Sequence, residues 1–219
     1  EKKDNIKLIM EPLPCIAGKV GLLHDTTFYY AVAGMNNALE QVDTEYAIRT
    51  RTDEFFEDFQ PMISLAMGNP ENKDKFICGN IFVRKFSDVP YHIGDHVYIA
   101  RTLHLKNAFY NLRKMYDGEM QLQPWASQSE NIDFGHGQVA GGFAAETILG
   151  HAFLFAKSVP IKKWPYIDCF VDNFYVLNLA LLGDYVVRWG HTDRIWFSDF
   201  INPHHVENMS DAVLIKNEQ

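Results

Sequence analysis

Short apolar runs alternate with amphipathic helical segments along this chain, and that alternation limits the fold more than any other feature. The run at 6–10 predicts a buried strand, and the apolar spacing after Asp25 and Thr26 predicts a helix that reaches Val42. Three further strands are predicted, at 46–50, 76–83 and 185–189. Strands that alternate with helices indicate an α/β sandwich with a mostly parallel or mixed sheet.

Four more segments carry helical signals. Pro61 opens a predicted short helix to Met67, and the spacing at 103–116 and 144–157 is amphipathic. The segment at 172–182 is apolar nearly all round, which predicts a core helix that ends at Gly183. The polar stretch at 124–142 is longer than an ordinary connection, and such loops are often functional.

The composition fits one ordinary globular domain. The 219 residues carry 20 basic and 28 acidic side chains, a balance of −8, with no basic run that would grip phosphate backbones, so nucleic-acid binding is not expected. We find no repeat or linker, so residues 1–219 are predicted to form a single domain. Three widely spaced cysteines, Cys15, Cys78 and Cys169, indicate a reducing compartment rather than disulfides or zinc.

No membrane span or leader is predicted. The longest apolar stretch, 174–182, is about half the ~20 residues that a span needs. The chain begins with Glu1 and a charged segment that has neither an apolar core nor a cleavage site. We therefore expect a cytoplasmic protein, and we expect this chain to begin inside a longer one.

Charged residues gather in three clusters, at 49–54, 92–96 and 190–194. Because ligands of α/β sheets bind beyond the strand ends, the clusters are expected to line one crevice. Asp53 and Glu54 offer hard oxygen ligands for Mg²⁺ or Mn²⁺. Arg49 and Arg51 offer paired donors that suit diphosphate oxygens. The alternative is a solvated strand end whose charges compensate one another.

The second cluster places His92 and His96 four residues apart with Asp95 between them. On a helix the two histidines would share a metal, but Pro90 and Gly94 disfavour a regular helix there. The alternative is a turn in which Asp95 caps the next segment and the histidines pack against aromatic rings.

One further carboxylate, Glu146, lies at the predicted start of the helix at 144–157. The helix dipole favours a carboxylate at that position without any further role. The same side chain is also placed to project into a cleft, and both interpretations stay open.

Four short segments follow one another along the chain: Tyr-Ala-Ile-Arg-Thr-Arg-Thr-Asp-Glu at 46–54, Asn-Ile-Phe-Val-Arg at 80–84, Tyr-His-Ile-Gly-Asp-His at 91–96 and Ala-Glu-Thr-Ile-Leu at 145–149. Together they resemble the WavE lipopolysaccharide-synthesis family, whose proteins resemble GT-A glycosyltransferases. The first is similar to the family's lysine/arginine-x-arginine-threonine-aspartate segment. The next two are similar to its segment with serine or glycine before an aspartate, and the last to its alanine/proline-glutamate-glutamine segment. The resemblance covers about residues 26–189.

The resemblance implies a GT-A-like, Rossmann-like three-layer α/β sandwich. A GT-A fold begins with a strand and a glycine- or serine-bearing loop that contact the nucleotide, and nothing before Ile6 supplies them. We therefore expect a fold that lacks its N-terminal strand. Two positions differ from the family pattern: Gly94 stands where a serine is common, and Thr147 stands where a glutamine is common.

The resemblance also implies metal-dependent transfer of a sugar from a nucleotide-sugar donor. In that reaction Asp53 would hold Mn²⁺ or Mg²⁺, and His191 would complete the metal shell. The donor site would include Arg49, Arg51 and Glu54 as well as Asp53.

On the acceptor side, Asp95 or Glu146 would be the base that takes a proton from the acceptor hydroxyl. The implied acceptor is a glycan or lipid-linked glycan of a surface polysaccharide or lipopolysaccharide, which places the protein in the cytoplasm or at the inner face of a membrane. Two other classes stay open: a metal-dependent hydrolase of phosphoesters or glycosides, suggested by nine histidines and the clustered carboxylates, and a non-catalytic carbohydrate-binding domain.

Overall fold

Helices and strands account for most of the chain that our computed structural model describes, which covers residues 26–81, 83–86, 90–117, 145–159, 167–186, 206 and 208–213. The helices are α1 (Thr26–Glu40), α2 (Gln60–Gly68), α3 (Thr102–Tyr116), α4 (Ala145–Ala156), α5 (Ile167–Asn173) and α6 (Met209–Ala212). The strands are β1 (Tyr46–Arg49), β2 (Phe55–Phe56), β3 (Phe76–Gly79), β4 (Tyr98–Arg101), β5 (Phe174–Leu177) and β6 (Tyr185–Val186). Within these residues no helix has the length and the apolar character that crossing a bilayer requires.

Four of the strands form a mixed sheet in the order β1–β4–β3–β5. Strand β4 runs antiparallel to both of its neighbours, so that Ile99 stands opposite Ile48 on one side and Ile77 on the other. Strands β3 and β5 are parallel, with Phe76 opposite Phe174. The predicted α/β class with a mixed sheet is confirmed.

The two remaining strands, β2 and β6, pair with each other in a separate antiparallel sheet. Glu57 extends this pairing, because its backbone N–H donates to the carbonyl of Asp184 and its carboxylate accepts from the Asp184 N–H at 2.8 Å. The strand predicted at 185–189 therefore begins where expected but joins the small sheet.

Both faces of the main sheet are buried, which makes it the middle of three layers. On one face, Phe76 and Tyr98 lie in a core shared with α1, α3, α4 and α5. On the other face, Ile77 and Ile99 pack with Met62 of α2 and with the small sheet. Burial on both faces explains why these strands are apolar at nearly every position.

Most of the amphipathic segments form the predicted helices. The spacing after Thr26 corresponds to α1, and the segments at 61–67, 103–116 and 144–157 correspond to α2, α3 and α4. For α2, α3 and α4, each end of the helix lies within one residue of the predicted end. The strand predicted at 46–50 is β1.

The core helix predicted at 172–182 is wrong. That segment is the end of α5, then β5, then a 3-10 helix at Leu179–Leu182 that ends at Gly183 with φ 75°. A strand buried on both faces is apolar all round, just as a buried helix is, so periodicity alone does not separate them. The aromatic and β-branched residues of Phe174–Leu177 favour the strand.

Two other strands differ from the prediction. Strand β4 follows the 90–96 loop directly and has no counterpart among the predicted elements, although Tyr98 and Ile99 have strand-favouring side chains. Strand β3 ends at Gly79 rather than at residue 83. The predicted strand at 6–10 and the long loop at 124–142 lie outside the described residues.

Two close backbone contacts hold the loop that joins β3 to β4. A Cβ atom added at Gly94 would collide with the carbonyl oxygen of Gly79 and lie 3.2 Å from that of Ile81. A Cβ added at Gly150, in α4, would collide with the carbonyl oxygen of Tyr91, which adopts a left-handed φ of 60°. The loop is therefore packed between the end of β3 and helix α4, with no room for a side chain at either glycine.

Replacing each of two helical glycines by alanine, in separate variants, tests the packing of α4 against this loop. Gly150→Ala is expected to lower the free energy of unfolding by about 1–3 kcal/mol, because Tyr91 must move to admit the methyl group. Gly34→Ala is the matched control, since nothing lies within 4 Å of its added Cβ, and it is expected to stabilise α1 by up to about 1 kcal/mol. Thermal unfolding measures both, and shifts of the same sign would contradict the packing.

Candidate active site

Three segments that are distant in sequence meet at one place. The β1–β2 connection brings Glu54, the loop before β4 brings His92, Asp95 and His96, and the first turn of α4 brings Glu146. We refer to these five residues as the carboxylate–histidine cluster. Two of the three charged segments predicted to share a crevice are thus joined, whereas 190–194 lies outside the described residues.

The inner part of the cluster is a buried pair, Glu54 and His96. The Glu54 side chain is 0% exposed and that of His96 is 6% exposed. His96 Nδ1 hydrogen-bonds Glu54 Oε1, and Arg51 Nε lies 3.4 Å from the same oxygen. A buried carboxylate needs such partners, because removing a charge from water is strongly unfavourable. Glu54, expected at the donor or metal site, therefore lies behind the surface.

The outer part of the cluster is a pair of carboxylates that reach solvent. The side chains of Asp95 and Glu146 are each 22% exposed. Asp95 Oδ1 lies 3.7 Å from His96 Nε2, and Glu146 Oε2 lies 3.8 Å from His92 Nε2. The two residues that the resemblance assigns to proton transfer are therefore the most exposed members of the cluster.

The surroundings of Glu146 raise its pKa to about 7. Burial is the largest cause, and the negative charge of Asp95 adds to it. His96 and Arg84 act in the opposite direction. A carboxyl group with a pKa near 7 exchanges its proton readily at neutral pH, which is the property that a general base requires.

His92 is the neutral neighbour of Glu146. Burial, together with the smaller effect of the positive charge of Arg84, lowers the pKa of His92 to about 3. The contact of 3.8 Å with Glu146 is longer than a hydrogen bond, and an uncharged imidazole forms no ion pair there. His92 is therefore a buried, uncharged neighbour of Glu146 and does not provide a positive charge to balance its carboxylate.

The two arginines expected at the diphosphate are engaged by this chain's own groups. Arg51 donates to both carboxylate oxygens of Asp53, at 3.0 and 3.3 Å. Arg49 donates to the backbone carbonyl of His96 at 3.3 Å, and its guanidinium lies 5.6 Å from the centre of the Tyr98 ring. Both side chains hold the cluster in place.

The described residues do not fit the expected cation at Asp53. Its carboxylate is paired with Arg51, and nowhere in the described part of the chain do three His, Cys, Asp or Glu side chains form a group able to hold a metal. His191, the other expected ligand, lies outside the described residues. The metal at Asp53 therefore stays a prediction.

Sequence reasoning found the outer carboxylates but not how the histidines are used. The loop at 92–96 is not helical, as Gly94 and Pro90 predicted, yet His96 binds a carboxylate rather than an aromatic ring. Arg84 lies in the segment at 80–84, and no local pattern in the sequence indicates its electrostatic effect on Glu146. No protein-family model, no curated protein and no solved structure matches the chain.

The raised pKa of Glu146 predicts an unusual pH dependence of stability. Unfolded, its carboxyl ionises near 4.5, whereas in the folded protein it ionises near 7. The folded state therefore holds the extra proton between these values, and its stability falls as the pH rises through that window. Because glutamine stays neutral, Glu146→Gln is expected to be more stable than the wild type at pH 8, by up to about 3 kcal/mol.

At pH 5 most of that difference is expected to vanish, since wild-type Glu146 is then protonated in the folded state. Melting temperatures of both proteins at pH 5 and pH 8 measure it. Glu40→Gln, at the exposed end of α1, is the control for loss of a surface charge. A difference between the Glu146 variant and the wild type that is equal at both pH values would contradict the shifted pKa.

Proposed function

We propose that this chain is a glycosyltransferase that moves a sugar from a nucleotide-sugar donor to a hydroxyl group of a glycan acceptor. One observation carries the proposal: Asp95 and Glu146, from segments about fifty residues apart, are both partly exposed in one cluster whose inner part is a buried carboxylate–histidine pair. The order and type of these residues match what the WavE resemblance implies for a GT-A-like enzyme.

In the proposed reaction Glu146 is the general base. Its carboxylate takes the proton of the acceptor hydroxyl as the oxygen forms a bond to the anomeric carbon of the donor sugar. The bond between that carbon and the phosphate oxygen breaks, and the nucleoside diphosphate leaves with the bonding electrons. The negative charge of Asp95 makes Glu146 a stronger base, which is why we assign the proton to Glu146 and not to Asp95.

The proposal places the acceptor, more than the donor, at the described residues. A divalent cation, when bound, would neutralise the leaving diphosphate, but the described side chains around Asp53 do not form its site. An acceptor linked to lipid would bring this enzyme to the inner face of a membrane, and the three widely spaced cysteines favour the cytoplasm as its proposed location. A surface polysaccharide or lipopolysaccharide is the acceptor class that the resemblance favours.

The kinetic prediction separates base catalysis from binding. Glu146→Gln is expected to lower kcat by about 10²–10⁴-fold, because the amide cannot accept the acceptor proton. The donor-induced rise in melting temperature is expected to persist, since Glu146 contacts the acceptor. Steady-state kinetics and thermal shift measure the two effects, with Glu40→Gln as the control, and an active Glu146→Gln enzyme would contradict the assignment.

The function itself is tested by a panel of UDP-, GDP-, CMP- and dTDP-sugars, each with Mn²⁺ and with a chelator. Ligand at about 100 times its Kd adds roughly 2.7 kcal/mol of stability, or several degrees in the melting temperature of a domain of this size. Stabilisation by one nucleotide class, followed by transfer to an added acceptor, is the expected result. Release of free sugar or phosphate that needs no acceptor would favour a hydrolase instead, and the absence of any nucleotide-sugar binding would favour a carbohydrate-binding domain.

A further inference from the structure

A lysine lies at the opposite end of α4 from Glu146, outside the carboxylate–histidine cluster. Lys157 follows the last residue of α4, and its backbone N–H donates to the carbonyls of Phe153 and Leu154 at 3.2 and 3.1 Å. The next residue, Ser158, adopts a left-handed φ of 58° and ends the helix. The backbone that carries the Lys157 side chain is therefore held by the last turn of α4.

The Lys157 amine is bound by the buried side-chain amide of Asn173. Lys157 Nζ donates to Asn173 Oδ1 at 2.6 Å, and Asn173 is 6% exposed. The NH₂ group of the same amide donates to the carbonyl of Cys169 at 2.8 Å, so the amide cannot turn its nitrogen toward the lysine without losing that bond. The amine therefore has a fixed acceptor that carries no charge.

Lys157 has no ion-pair partner among the residues that the structure describes. Its side chain is nevertheless half-buried. The centre of the Phe153 ring lies 5.6 Å from Nζ, and an aromatic ring attracts an ammonium much less than a carboxylate does. Because an ammonium that loses water without gaining a counter-ion is disfavoured, these surroundings favour the neutral amine.

The charges around the amine leave that balance in place. Burial is the largest influence on the pKa of Lys157 and lowers it. Lys75 acts in the same direction, whereas Asp74, Asp172 and Cys169 act in the opposite one. The neutral amine has the lone pair that an ammonium lacks, and it still has N–H groups to donate to its amide partner. A desolvated lysine of this kind is a stronger nucleophile at neutral pH than an ordinary one.

We propose that Lys157 is an acylation site, whose amine takes an acyl group from a small acyl phosphate or acyl thioester. The nitrogen lone pair forms a bond to the acyl carbon, the bond from that carbon to the phosphate oxygen or thiol sulfur breaks, and the leaving group takes the bonding electrons. One amine proton passes to water. The amide product keeps an N–H that can donate to Asn173. Acylation of Lys157 is separate from the proposed sugar transfer and does not depend on it.

The acetylation rates of individual lysines test the site. The intact protein is incubated with acetyl phosphate or, in a second arm, with acetyl coenzyme A, and each lysine is followed by peptide mass spectrometry at pH 7 and pH 10. Two lysines are matched controls that each share one contact with Lys157: Lys106 Nζ donates to the carbonyl of Val42 at 2.7 Å, and Lys114 Nζ lies 4.7 Å from the centre of the Tyr110 ring. Lys157 is expected to react several-fold faster than either control at pH 7. This advantage is expected to shrink at pH 10, where ordinary lysines also lose their protons.

One variant tests the uncharged acceptor. Asn173→Asp places a carboxylate beside Nζ, and it is expected to slow acetylation of Lys157 at pH 7 by about tenfold or more, because an ion pair stabilises the ammonium. Lys106 and Lys114 are expected to keep their rates. If the variant does not fold, the wild-type rates at the two pH values decide. A Lys157 rate no higher than those of the two controls, with both donors, would overturn the site, whereas faster reaction in one arm alone supports it and identifies the donor class.

Discussion

The close packing of one loop between β3 and α4 is the constraint on which the rest of the site depends. At Gly94 and Gly150 the backbone of one element touches the backbone of another, and neither position admits a Cβ. Backbone contacts of this kind leave little freedom, because no side chain can rotate to relieve them. The loop therefore presents His92, Asp95 and His96 in one arrangement, and the first turn of α4 meets it with Glu146.

Burial then sets the chemistry of the residues that the loop presents. Glu54 and His96 lie behind the surface, where a carboxylate needs close polar partners, and Arg51 and His96 are those partners for Glu54. Glu146 stands closer to solvent but beside Asp95, so ionisation is opposed by burial and by a like charge. The same opposition lowers stability at neutral pH and, in the proposed reaction, makes Glu146 a useful base, a trade-off that is typical of active sites.

How much of this could be predicted from the sequence depends on whether the signal is local. Helices α2, α3 and α4 follow from their own spacing, and strand β1 from its own apolar run. Strand β5 was mistaken for a helix because burial on both faces removes the period that separates the two. The contact of Glu54 with His96 joins residues 42 apart, and only the pairing of β1 with β4 brings them together. No local pattern contains that information.

The arrangement of charges divides the proposed reaction between two parts of the protein. At the described cluster the exposed groups are carboxylates, which suit the removal of a proton from an uncharged hydroxyl and repel a diphosphate. Two of the cations near the cluster, Arg49 and Arg51, are already bound to His96 and Asp53, and a third, Arg84, acts electrostatically on Glu146 itself. In the proposed reaction the two carboxylates would repel the donor diphosphate, so its positive partners would lie beyond Asp95 and Glu146 while the anomeric carbon of the donor sugar faces Glu146. Such a separation keeps the leaving group's charge from opposing the ionisation of the base.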